Sequence, residues 1–364
     1  MQIDHKESHI TIDRNLAFQI IPRLHQGKIP DRTRRSDHCY HWAMLFPFRK
    51  TTDKVETPLR MRPVHSEAAR KLAATLSALF VFSAASWGAR AEIVVRDDTG
   101  ADVHLIRPAK RIVALAPHLT ETVFAAGAGD KLVGVVQFSD YPEAAKKIPS
   151  VGGYTRLDLE SVIALKPDLI IVWQSGNMAG QIDKLSALGY PVYRSQPDRV
   201  ENIATEIERL GLLAGTSDTA IVAATRFRQK MNALQKRYSS RPSVRVFYQV
   251  SQQPLMTIGG KQFISSVIRT CGGVNIFEAL NAMAPSVSVE AVVAANPEAI
   301  VASGMSDGRP DWLNDWLQWP RMTAVARRNL FYVSPTLLQR PTPRLLDGAE
   351  LLCQNLETAR NHRP

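Results

Sequence analysis

Trp173 and a pair of glutamates, Glu160 and Glu290, are where this 364-residue chain first offers chemistry. Trp173 follows the apolar run Leu169–Val172, which has the continuity of a buried parallel strand, so it stands at the carboxyl end of that strand. Ligands of open α/β sheets bind at that end, and an indole there offers a broad apolar face. Glu160 lies seven residues before Pro167 and Glu290 seven before Pro297. Two carboxylates at equivalent places in two similar units suit a partner with two-fold symmetry, and each also favours its own helix N-terminus. Enzyme patterns are missing: there is no nucleophile elbow, no Gly-rich phosphate loop and no carboxylate pair tied to a pocket. Beyond residue 91 the histidines are His104, His118 and His362, too scattered for a three-histidine metal site. His118 stands at a strand end, within reach of a bound metal centre; the blander reading is a histidine behind the site or facing solvent. His118 and Glu121 together are compatible with a helix start. Binding, not turnover, is the expectation.

A unit that occurs twice positions these residues. In Leu157–Trp173 (LDLESVIALKPDLIIVW) Asp158 caps a short helix with Leu159, Val162 and Ile163 on one face, Pro167 ends it, and the strand follows. In Val287–Gly304 (VSVEAVVAANPEAIVASG) Ser288 is the cap, Pro297 the stop and Ala299–Ala302 the strand. Strands at Arg111–Leu115, Leu132–Val136 and Pro191–Tyr193 alternate with helices at Glu121–Ala126 and Ile182–Leu188, behind a hairpin turning at Asp98–Gly100. Such alternation predicts a parallel, doubly wound sheet. Val200–Ala214 reads as a helix with Ile203, Ile207, Leu210 and Ala214 on one face, and Gly215 breaks it. Thr216–Tyr238 then forms one long helix of roughly 30 Å. A second series follows: strand Val244–Val250, helix Phe263–Thr270, helix Trp312–Leu317, strand Leu330–Val333 and final helix Arg344–Thr358. Trp312, Trp316 and Trp319 form a stripe expected to be core. The expected fold is α/β, with two doubly wound lobes of parallel sheet, 92–215 and 241–364, joined by one long rigid helix, 216–240.

The formal charge is +11, but residues 1–91 hold 15 Lys+Arg against 8 Asp+Glu, and the remainder 30 against 26. That leaves no basic patch of the kind nucleic-acid binding requires. Met61–Ala91 has the parts of a signal peptide: Arg62, Arg70 and Lys71, the 11-residue apolar core Leu72–Phe82, and Ala89-Arg90-Ala91 as a cleavage site that leaves Glu92 first. The apolar core is too short to span a bilayer. Residues 1–60 lack sustained periodicity and read as a mis-set start upstream of Met61, or as an unusual leader extension. The expectation is export as a soluble protein. Cys271 and Cys353 remain beyond the leader and are candidates for a disulfide in an oxidising compartment. It would close a loop of about 82 residues, contributing roughly 4–5 kcal/mol in the chain-entropy model; two buried thiols are the alternative.

Four stretches, RIVALAPHLTETVFAAGAGDKLVGV, SDYPEAAKKIPSVGG, LDLESVIALKPDLIIVWQSGN and RTCGGVNIF, together resemble the class of periplasmic substrate-binding proteins with a single linking helix, and within it the cobalamin-binding group. The resemblance covers Ile93 to the C-terminus. It implies a cleft between two lobes, cobalamin or a related corrinoid as transported ligand rather than cofactor, a monomer, and delivery to an inner-membrane ABC permease with its ATPase. It implies that Tyr141, Tyr154 and Trp173 form the first-lobe wall of the cleft and Tyr248 to Val250 the second. Arg340 matches a cleft arginine before the final helix. Glu160 and Glu290 match the family's acidic pair at the outer tips, which engages arginines on the two permease subunits. In cobalamin-binding members the position of Tyr154 is a tryptophan, and positions near Val250 and Ala284 are aromatic, so the second-lobe lining is thinner here. A haem carrier is the alternative, with Tyr154 in Val151-Gly152-Gly153-Tyr154 as iron ligand, and a ferric-siderophore carrier of the same class is another. The segments Ser139–Pro142 and Trp173–Asn177 look more like the cobalamin group. A corrin or porphyrin suits such a site, because aromatic rings cover its apolar face with little loss of rotamer freedom and a few placed donors meet its polar rim.

Overall fold

The computed structural model describes residues 92–304 and 308–364. All described residues belong to one compact unit. Residues 1–60, read as a mis-set start or leader extension, and the expected signal peptide (61–91) lie outside the described residues.

An antiparallel hairpin of β1 (Ile93–Arg96) and β2 (Asp102–Leu105) precedes β3 (Ile112–Ala114), α1 (Pro117–Ala125) and β4 (Leu132–Val135). A short ribbon, β5 (Gly152–Gly153) with β6 (Arg156–Leu157), leads into α2 (Leu159–Ala164), β7 (Leu169–Trp173), α3 (Ala179–Ala187) and β8 (Val192–Ser195). Two packed helices follow, α4 (Val200–Ala214) and the 22-residue α5 (Ser217–Tyr238), about 33 Å long at 1.5 Å per residue. Beyond them come β9 (Val244–Gln249), α6 (Phe263–Thr270), β10 (Gly273–Asn275), α7 (Val289–Ala295) and β11 (Ala299–Ala302). A 3-10 segment (Asp311–Gln318), α8 (Thr323–Ala326), β12 (Leu330–Tyr332), α9 (Pro335–Leu338) and α10 (Leu345–Asn361) complete the chain.

Both four-stranded sheets are parallel and share one order: β4-β3-β7-β8 in the first lobe and β10-β9-β11-β12 in the second. The repeated unit supplies the third strand of each, β7 or β11, which pairs with the first strand. Its local structure also repeats. Asp158 accepts the Ser161 N–H at 3.1 Å and Ser288 the Ala291 N–H at 3.2 Å, capping α2 and α7. The residue before each proline turns left-handed, Lys166 at φ 46° and Asn296 at φ 43°. Between the first and third strands the connections leave in opposite directions, the switch point at whose carboxyl ends α/β sheets bind ligands.

Helices cover both faces of each sheet, which accounts for the continuous apolar runs. One buried cluster runs through both lobes by way of α5, whose Ala220, Ala224, Phe227, Leu234 and Tyr238 belong to it. Its α4 members include Ile203, Ile207, Leu210 and Ala214, the face that periodicity had marked. Trp316 is buried, and Trp312 and Trp319 pack against the same second-lobe cluster. Cys271, which ends α6, is bonded to Cys353 on α10, 82 residues away. One boundary differs in a way that matters: Pro117–Thr120, expected as a connection before a helix at Glu121, is already the first turn of α1. Proline at a first helical position has no N–H to lose and a φ already suited to the helix, so His118 and Glu121 lie one turn apart on the same helix.

In the first lobe, Glu206 of α4 is 1% exposed, and its carboxyl oxygens have no hydrogen-bond partner among the described residues. Burial pushes its pKa up to about 8; Asp98 of the hairpin adds to the shift, while Ser195 and Arg209 oppose it. The folded chain thus keeps a proton that the unfolded chain releases above about 4.5, so stability is fully present at low pH and is lost as pH rises from that value through about 8. Glu206→Gln is expected to flatten this part of the stability–pH curve, leaving the variant more stable than the parent at pH 8 and similar at pH 5. Urea unfolding at several pH values checks it; parallel curves contradict it.

Candidate functional site

The carboxyl edge of the first-lobe sheet is built at the end of β7. Trp173 is half-buried there, and the turn after it is shaped around its ring: a Cβ at Gly176 would lie 1.9 Å from Trp173 Cε3. Asn177 follows, 7% exposed, and ties three segments together. Its Oδ1 accepts the Trp173 N–H at 2.7 Å, and its Nδ2 donates to the carbonyls of Leu115 (2.8 Å) and Tyr154 (2.7 Å). The Tyr154 ring is thereby brought beside Trp173, centroids 5.9 Å apart and planes tilted by 40°. Tyr154 is 37% exposed, so the pair presents a partly open aromatic surface. A cavity of about 530 Å³, which neither ring lines, lies among Gln137, Gly152, Gly153 and the segment Thr155–Asp158.

His118 stands edge-on behind Trp173, centroids 5.3 Å apart. Burial, with the charge of Arg340 adding to it, pushes its pKa down to about 3, so the imidazole is neutral at any physiological pH. Its Nε2 has no hydrogen-bond partner among the described residues. One turn further along α1, Glu121 is 4% exposed and accepts from Arg340 and Arg344, which flank Pro341-Thr342-Pro343 at the entry to α10. Burial works against the charge of Arg344, but the hydrogen bond and attraction of Glu121 outweigh it and raise its pKa. Tyr141, 45% exposed, lies under the Arg344 guanidinium.

The structure therefore brings Tyr154 and Trp173 together, and Tyr141 and Arg340 into one charged cluster joined to them through α1. It does not place Tyr248 on the wall. Tyr248 is 0% exposed, because β9 is covered on both faces and its ring lies in the shared core. Of the stretch from Tyr248 to Val250 expected to line the cleft, Tyr248 thus lies in the core instead. Val250, just past the strand, is half-buried and donates its N–H to the Met256 carbonyl at 2.9 Å. Glu160 and Glu290 are both exposed, each in the first turn of its capped helix. The carboxylate of Glu290 is held below its ordinary pKa by its own backbone N–H and the Ser288 hydroxyl. Among the described residues no three His, Cys, Asp or Glu side chains are grouped to hold a metal ion, and no helix is long and apolar enough to cross a membrane.

Sequence reasoning missed Asn177, Glu121 and Arg344. Asn177 looked like an ordinary loop residue after a strand, and nothing in its neighbours announces two distant carbonyls. Glu121 looked like a helix-start charge, whereas a glutamate within the apolar segment LTETVFAA had already signalled a buried carboxylate in need of cations.

Comparison with known proteins places these observations. A family model described as periplasmic binding protein matches residues 112–337. The chain is 39% identical over 259 residues to the vitamin B12-binding protein of Vibrio campbellii, a match spanning 70% of this chain and 92% of that one. Among solved structures it is similar to the periplasmic vitamin B12 binding protein BtuF of Vibrio cholerae, with a TM-score of 0.65 and 37% identity over 70% of this chain and 98% of that one. A periplasmic heme binding protein from Pseudomonas aeruginosa gives a TM-score of 0.59 and 28% identity over 67% and 91% of the two chains.

Gly176→Ala is expected to displace the Trp173 indole, because the added methyl would overlap the ring. Near-ultraviolet circular dichroism and tryptophan emission should both change while far-ultraviolet dichroism does not. A near-ultraviolet spectrum identical to the parent contradicts this account of the turn.

Proposed function

This chain belongs to the periplasmic binding protein family, and on that premise we propose that it captures cobalamin, or a related corrinoid, between its two lobes and hands it to an ABC permease. The observation that carries the reading is the Tyr154–Trp173 surface at the carboxyl end of β7, held by Asn177 and partly open. An apolar macrocycle face packs on such a surface, which covers it with little loss of rotamer freedom. Vitamin B12-binding relatives at 39% and 37% identity support the same ligand. In this reading the ligand leaves chemically unchanged, the exported chain works in the periplasm as a monomer after cleavage near Ala91, and residues 92–215 and 241–364 act as lobes about the 216–240 helix. Tyr141, Val250 and Arg340 complete the lining, and Tyr248 supports it from the core.

Delivery uses the outer tips. Glu160 and Glu290 occupy the same place in the two copies of the repeated unit and are exposed, as a docking pair for arginines on a permease with its ATPase requires. Replacing both by alanine is expected to lower corrinoid uptake by cells about tenfold or more. Uptake at the parental rate contradicts their role.

Haem is the second reading, favoured by the exposure of Tyr154 after the β5 strand, which leaves its phenol available as an iron ligand, and by the 28% identical heme binding relative. Titration of the exported protein with cyanocobalamin and, separately, with haemin distinguishes them. The corrinoid reading expects saturable one-to-one quenching of tryptophan emission by cyanocobalamin, weakened about tenfold or more in Trp173→Ala. A tyrosinate-type haem spectrum that disappears in Tyr154→Ala, with no response to cyanocobalamin, moves the ligand to haem.

A further inference from the structure

Glu121 is where the two lobes meet through charge. Its carboxylate, on α1 of the first lobe, takes one hydrogen bond from Arg340 (3.0 Å) and two from Arg344 (2.8 Å each), both beyond β12 in the second lobe. The same arginines hold the segment after β4. Arg340 donates to Asp140 (3.1 Å) and to the Phe138 carbonyl (3.3 Å), and the Arg344 guanidinium lies 3.8 Å from the centre of the Tyr141 ring. The Glu121 side chain is 2% exposed and those of Arg340 and Arg344 18% and 20%, so water screens these contacts far less than it screens surface pairs. A carboxylate is tolerated at such depth only when its partners are in place, and removing one leaves the others uncompensated. The arginines are set apart by Pro341-Thr342-Pro343, whose prolines fix two backbone angles and so limit how far either guanidinium can follow a moving lobe.

We propose that Glu121 is a positioning residue for the cleft: it ties the lobes at one spacing before a ligand arrives and, through Arg340 and Arg344, fixes Tyr141 on the wall that the ligand meets. A spacing set in advance limits the thickness of ligand the cleft accepts and reduces the ordering that accompanies binding. The inference deepens the corrinoid reading and rests on it only for the affinity measurement below.

Nitroxide labels at two exposed positions, Lys184→Cys on α3 and Gln318→Cys in the second lobe, report the lobe spacing by pulsed electron paramagnetic resonance in the exported protein. The parent is expected to give one narrow distance distribution, and Glu121→Gln a broader one with its mean at longer distance. Glu121→Asp, which keeps the charge, should recover part of the narrowing. Arg344→Gln should broaden the distribution from the other side and carries the test if Glu121→Gln does not fold. With cyanocobalamin as probe, Glu121→Gln should bind about tenfold more weakly than the parent. Unchanged distance distributions in both Glu121→Gln and Arg344→Gln overturn the proposal. A parent that ignores cyanocobalamin overturns the corrinoid reading instead, while the distances still decide the role of Glu121.

Discussion

Parallel strands buried on both faces impose the constraint from which the rest of this molecule follows. Inside such a sheet every side chain is core, as Tyr248 illustrates, so a binding surface can be made only by residues at or just past the strand ends. The first lobe meets that constraint within five residues. Trp173 ends β7, Gly176 makes room for the ring, and Asn177 fastens the turn to the ends of the neighbouring segments. In the second lobe the strand equivalent to β7 is β11, and Ser303 stands where Trp173 does, so that edge carries no aromatic ring at the matching position.

Charge is arranged to leave that surface neutral and the junction between lobes ionic. His118 touches Trp173 yet carries no charge at physiological pH, because burial and the nearby Arg340 both disfavour the imidazolium. A charge behind the aromatic pair would raise the cost of covering it with an apolar ring. One turn away the logic reverses: Glu121 is buried with two arginines around it, and ion and partners are useful only together. α1 thus joins the two behaviours, and its start at Pro117 fixes their spacing.

Much of this was legible in the residues. The helix–Pro–strand unit was visible twice because its signals are local: a capping side chain, a 3.6-residue apolar period, a proline and an apolar run. α4 and α6 were readable to their ends for the same reason, and the Cys271–Cys353 pairing followed from compartment and count. Resemblance supplied Tyr141, Tyr154 and Arg340, which spacing alone does not mark. What stayed hidden was long-range. Asn177 bonds across 62 residues to Leu115, and Arg344 reaches Glu121 across 223. The burial of Tyr248 was not legible, because an alternating strand and a doubly covered one look alike around a single aromatic.

A crystal structure of the chain from Glu92 onward with cyanocobalamin tests the central claim most directly. The account predicts the corrin ring between the lobes, one face packed on Tyr154 and Trp173 and the Glu121–Arg344 contact intact beside it. A corrinoid bound away from the end of β7, or bound there with Trp173 turned out of contact, would contradict it.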